Sequence, residues 1–217
     1  MPENAHRPLR DTAVTAVIDR LASARQSPPD DPRARLERDP HEYSEYGFSI
    51  SPEQGDLIYV LCRGLRATRI VECATSVGMS TLYAAAAVRD NGGGTVIGSE
   101  IVPAKVATAE RNLATAGLSA YVDIREGDAR TTLRDLGGPV DFALIDGWLG
   151  TEPSLARQVI ELVAPRLRVG GYVMNDNAEP DFLDYIRDPA NGFLSVTLPL
   201  HGGTELCVKV TASPKSS

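Results

Sequence analysis

Between residues 68 and 175 the chain alternates short apolar runs with longer stretches of helical periodicity. Residues 68–73, 95–100, 122–126, 140–146 and 171–175 read as strands, and 80–89, 103–116, 130–136 and 153–167 as helices between them. A strand rejoined through a helix runs parallel to its predecessor, and successive right-handed crossovers cover both faces of the sheet. The expected fold is α/β, a doubly wound and mostly parallel sheet. The tail differs, because 193–198 and 205–210 are strands joined by PLHGG with no helix between them. A C-terminal antiparallel strand pair is expected there.

Ahead of this unit, Val14, Val17, Ile18 and Leu21 share one face of a helix expected over 11–25. Residues 27–40, rich in Pro, Asp and Arg, read as a linker or loop. Ser51 then opens a helix with Pro52 at its first position, running through Leu57, Ile58 and Leu61 to Gly64. The reading is an N-terminal helix and loop extension, 1–48, before a ligand-binding domain, 49–217. That domain is within the size of a single unit, given 217 residues in all.

The strand ends carry the polar residues: Glu72, Glu100, Asp128, Asp146 and Asp176. Open α/β sheets bind ligands at that edge, where strand order reverses. The segment RIVECATSVGMSTL, 69–82, is a buried strand closed by an acid and followed by a turn of small residues entering a helix. Ala74, Thr75, Ser76 and Gly78 let a ligand approach backbone, and Ser80 and Thr81 are expected to cap the helix. A dinucleotide would want Gly-x-Gly-x-x-Gly there, and an acid before the turn would repel pyrophosphate. Carboxylates instead attract a ligand with a sulfonium, an α-ammonium and a ribose, which describes S-adenosylmethionine. Glu100 is where ribose hydroxyls would be met. Each acid alone also reads as a cap or loop residue, Asp128 most of all.

These motifs, together with SISPEQG (49–55), VIGSE (96–100), AERNLATAGL (109–118), REGDA (125–129), FALIDGW (142–148) and VGGYVMNDNA (169–178), resemble the O-methyltransferases related to catechol O-methyltransferase, particularly bacterial members. The resemblance covers about residues 49–210 and implies a Rossmann-like methyltransferase fold. It implies that Glu72, Ala74, Ser76, Gly78 and Ser80 hold the methionine part of the cofactor and that Glu100 takes the ribose. Gly127, Asp128 and Ala129 would then lie against adenine. It further implies that Asp146, Asp176 and Asn177 hold a divalent metal, with Asp146 also beside the cofactor. Two carboxylates and an amide oxygen suit Mg²⁺. Both Asp176-Asn177 and Asp146-Gly147 also read as plain turns.

One departure matters. Where the family commonly has lysine after the tryptophan, as general base, this chain has Leu149 after Trp148. Either a metal acidifies the substrate, or another group such as His201 takes the proton, or the chemistry differs. Trp148 reads as a wall for an aromatic substrate or as a packing residue. Asp146, Trp148, Asn177 and His201 are the candidate catalytic residues.

The expected activity is methyl transfer from S-adenosylmethionine to a hydroxyl of a small phenolic or catechol-like metabolite, aided by Mg²⁺. The alternative is a cofactor-binding protein with altered or lost methyl transfer. A net charge of −7 and a pI near 5.0, with no basic stripe, argue against a nucleic-acid partner. The longest apolar run, 82–88, is too short for a membrane, and MPENAHRPLR has no apolar leader region. Cys62, Cys73 and Cys207 are odd in number and lie in apolar segments, as buried thiols of a reducing compartment do. A cytoplasmic homodimer joined through the N-terminal helix and the tail hairpin is expected.

Overall fold

The computed structural model describes residues 7–25, 39–147, 151–200 and 203–212. Helix α1 (Thr12–Ser23) and helix α2 (Pro52–Gly64) precede an alternating series: β1 (Arg69–Cys73), α3 (Met79–Asp90), β2 (Thr95–Glu100), α4 (Pro103–Thr115) and β3 (Val122–Glu126). The series continues through α5 (Ala129–Thr132), β4 (Val140–Ile145), α6 (Leu155–Val163), β5 (Leu167–Asp176), α7 (Pro180–Arg187), β6 (Phe193–Leu198) and β7 (Thr204–Lys209). The strands form one seven-stranded sheet ordered β3-β2-β1-β4-β5-β7-β6. Every pairing from β3 to β5 is parallel, and β7 runs antiparallel to both β5 and β6. This is a doubly wound, mostly parallel α/β sheet with an antiparallel pair at one side, its order reversing between β1 and β4.

Alternation along the strands divides the core in two. Ile70, Val96, Phe142, Leu144 and Met174 face one side, against α1, α2 and α3. Val71, Cys73, Ile97, Ala143, Ile145, Val173 and Cys207 face the other, against α5, α6 and α7. Helix α3 is apolar nearly all round because it is enclosed, with Leu82 through Val88 all buried. Cys62, Cys73 and Cys207 are free and buried, and burial pushes all three thiols well above the ordinary range. No helix among the described residues is long and apolar enough to cross a membrane.

Local signals explain most boundaries. Ser51 and Gln54 close a capping box at α2, with Pro52 next in line. Asp11 caps α1 by accepting from Ala13 N and Val14 N. The apolar stripe Val14, Val17 and Ile18 is spent inside the core, so α1 does not offer that stripe to a second subunit.

Four expectations are corrected. The helix expected over 153–167 stops at Val163, and β5 begins at Leu167 rather than 171, with an irregular register against β4. The helix expected over 130–136 is a single turn, since Arg125 Nη1 donates to the carbonyls of Thr132 and Asp135 and takes over helical bonding there. Helix α7 was not expected, although Pro180 at its start and buried Phe182 and Ile186 four apart are its signal. Finally, Ser80 and Thr81 do not cap α3; Gly78 occupies the N-cap in a left-handed conformation and no side chain bonds there.

Candidate functional site

The hydroxyls absent from the cap have another task. Ser80 Oγ donates to Glu72 Oε1 and Thr81 Oγ1 to Glu72 Oε2, both at 2.6 Å. Glu72 is 1% exposed at the end of β1, and burial pushes its carboxyl above the usual range against the pull of those hydroxyls. Both oxygens of this buried acid are thereby fixed in place beside the turn.

The turn itself is wound tightly. Ala74 N and Thr75 N both donate to Ser99 O, and Gly78 N to Thr75 O. Ala74, Ser76 and Gly78 have φ of 66°, 49° and 87°. Two non-glycine residues in the left-handed region mark stored strain of the kind found at ligand sites. Gly98 on β2 makes room, because a Cβ there would lie 2.4 Å from Thr75 Oγ1. Glu100, 5% exposed, fixes the turn: Oε2 accepts from Ser76 N at 2.7 Å and Oε1 from Val102 N at 2.9 Å. Buried Ser76 Oγ has no hydrogen-bond partner among the described residues, a donor left for a ligand.

Three side chains outside the expected set support this end. Asn112 on α4 donates to Val77 O at 2.8 Å and accepts from Arg20 of α1 at 2.7 Å. Lys105, 5% exposed, lies 4.8 Å over the Phe48 ring, and burial lowers its pKa against the attraction of Glu100. Phe48 stacks with Tyr46, and both meet Tyr43, in the segment leading into α2. Nothing in their spacing announces the bonds of Asn112 or the Lys105–Phe48 contact, because these join residues distant in sequence.

After β3, Gly127 has φ 130° and donates to Glu100 O at 2.8 Å. Asp128 accepts from Arg130 N at 2.8 Å as the cap of α5 and pairs with the Arg130 guanidinium, which holds its carboxyl below the usual range. Its side chain therefore caps, as one reading of the sequence held. Ala129 follows, buried.

Beyond the reversal point, Asp146 N donates to Cys73 O, tying the end of β4 to β1. Burial, then the nearby carboxylates of Asp176 and Glu72, push the Asp146 carboxyl up. Asp176 is 2% exposed at the end of β5, and Asn177 follows with φ 58° and donates to Asp176 Oδ2 at 3.2 Å. Among the described residues no group of three or more His, Cys, Asp or Glu gathers as a metal site. The donors present at this edge are two carboxylates and an amide, all oxygen, which fit a hard cation in type. A cation would also relieve the repulsion that pushes Asp146 up. A cavity of about 210 Å³ opens at Asn177, lined also by Ala178, Leu183, Thr197, Gly203 and Glu205. Trp148, Leu149 and His201 lie outside the described residues.

Residues 71–178 match the methyltransferase domain family. Catechol O-methyltransferase of Niastella koreensis is 37% identical over 103 residues, 46% of each chain. Catechol O-methyltransferase of Mycobacterium tuberculosis is 28% identical over 142 residues, 62% of this chain and 64% of that one. The chain thus spans about half the length of the curated relatives it matches. An O-methyltransferase from Bacillus cereus, solved in complex with SAH, superposes with a TM-score of 0.68 over 93% of this chain and 92% of that one, at 21% identity.

Proposed function

We propose that this chain, whose residues 71–178 match the methyltransferase domain family, moves the methyl group of S-adenosylmethionine to a hydroxyl of a small phenolic or catechol-like metabolite, with Mg²⁺ as a helper. The observation that carries this reading is buried Glu72 clasped by Ser80 and Thr81 beside a strained turn that Glu100 fastens. That is a pre-organised seat of carboxyl groups without a phosphate cradle, suited to a cationic sulfonium and amino acid group.

When bound, the cofactor brings the methyl group and the metal lowers the pKa of the acceptor hydroxyl. The protein supplies the rest. Glu72 favours the cationic end of the cofactor, while Glu100 keeps the turn closed and stands where ribose is expected. Gly127, Asp128 and Ala129 border the adenine end. Asp146, Asp176 and Asn177 are the residues that would hold the cation, and Asn177 also lines the neighbouring cavity. Alignment of this kind is worth roughly 7–11 kcal/mol of barrier in favourable cases. With Leu149 in place of the expected lysine, no side chain among the described residues is assigned the proton. The second reading, a cofactor-binding protein that has lost methyl transfer, rests on that substitution. A cytoplasmic homodimer acting on a small molecule, away from nucleic acid and membranes, completes the proposal.

The test is calorimetric titration of S-adenosylhomocysteine with Mg²⁺ and a catechol present, then with EDTA. Micromolar binding whose ternary complex needs the metal is expected. Asp146→Asn and Asp176→Asn should abolish turnover, and full activity in EDTA would refute the metal's part. Activity that appears only in Leu149→Lys would favour the second reading.

A further inference from the structure

Asp176 is the most closely held of the candidate metal ligands. Its Oδ1 takes two neutral donors, Gln54 Nε2 at 2.9 Å and Thr204 Oγ1 at 3.0 Å. Gln54 Nε2 also reaches Thr204 Oγ1 at 3.0 Å. Gln54, 0% exposed, comes from the first turn of α2, and Thr204, also 0% exposed, opens β7.

The amide of Gln54 has no choice of orientation. Ser51 N can only donate, and it points at the Gln54 side-chain oxygen at 2.8 Å, so that end must be Oε1 and the NH₂ must face Asp176. The helix cap and the site therefore share one side chain. Neither donor is charged. An amide and a hydroxyl orient the carboxylate by hydrogen bonding alone.

We propose that Gln54 and Thr204 are positioning residues for Asp176. By committing both lone pairs of Oδ1 they fix the carboxylate plane and present Oδ2, the oxygen on the Asn177 side, to a divalent cation. The inference rests on the metal reading above. Partners of this kind orient ligands for which a misplaced rotamer, buried away from water, has no substitute.

Mn²⁺ is the probe, followed by electron paramagnetic resonance, with S-adenosylhomocysteine binding measured alongside by calorimetry. Gln54→Met and Thr204→Val each should weaken Mn²⁺ binding by roughly ten- to a hundredfold. Thr204→Ser, which keeps the hydroxyl, should stay near wild type, and S-adenosylhomocysteine affinity should not move in any variant. Mn²⁺ binding undiminished in both Gln54→Met and Thr204→Val overturns the inference and leaves the metal reading standing. Equal loss in Thr204→Ser and Thr204→Val overturns it too, since bulk rather than the hydroxyl would be at issue. Failure of the wild-type protein to bind Mn²⁺ overturns the metal reading and the inference together.

Discussion

Single carboxylates do unlike work in this molecule according to what surrounds them. Glu72 and Asp146 are pushed up, burial being the main cause for both. Asp141, at the opposite edge of the sheet, goes the other way. Burial raises it, but Arg168 at 2.6 Å and the backbone N–H groups of Thr68 and Arg69 outweigh that and hold it below the usual range. A depressed folded-state pKa means that stability is fully present above the unfolded value, near 4, and is lost as pH falls through the folded one. Asp141→Ala is expected to cost about 2 kcal/mol at pH 7, at the low end for bonds to a charge because Arg168 is 37% exposed. Urea midpoints at pH 7 and pH 3 check this: the gap between wild type and variant should close in acid, and an unchanged gap would be against it.

At the scale of elements, α2 is pressed so closely on α3 that a Cβ at Gly55 would come within 2.1 Å of the buried Tyr83 ring. Gly55→Ala should be destabilising: overpacking costs about 1–3 kcal/mol, more than the ~1 kcal/mol of helix propensity that alanine returns. Chemical denaturation measures it, and a stabilised variant would refute the close contact. Elements with strong periodicity or caps, such as α2, α4 and the strands β1 to β4, were legible in the residues themselves, as was the row of acids at their ends. Helix α7 is only eight residues long, too short for the Phe182/Ile186 spacing to stand out as a periodicity. Asp128 was read both ways; its side chain does cap α5 and pair with Arg130, which leaves a role beside a ligand open to test. Gln54 was noticed only as part of a helix start, since its bonds to Asp176 and Thr204 span 122 and 150 positions and leave no local trace.

For the molecule as a whole, the sheet has one edge with little to deter pairing. Strand β6, FLSVTL, carries neither charge nor proline, and Leu194 and Val196 on it are 63% and 54% exposed. The proposed homodimer is expected to use this tail hairpin, the stripe of α1 being already buried. Solution scattering should give the mass of two chains for wild type and of one for Val196→Lys, and a one-chain wild type would sink the dimer. The same corner sets an order of assembly. β6 is synthesised before β7, yet β7 lies between it and β5, so β6 has no place in the sheet until its successor arrives. Thr204 sits at the start of that late strand. While the chain is still on the ribosome and β7 has not emerged, β1 to β5 can already be paired, but Asp176 still lacks one of its two holders on Oδ1; the anionic corner is finished only when β7 slides into its slot.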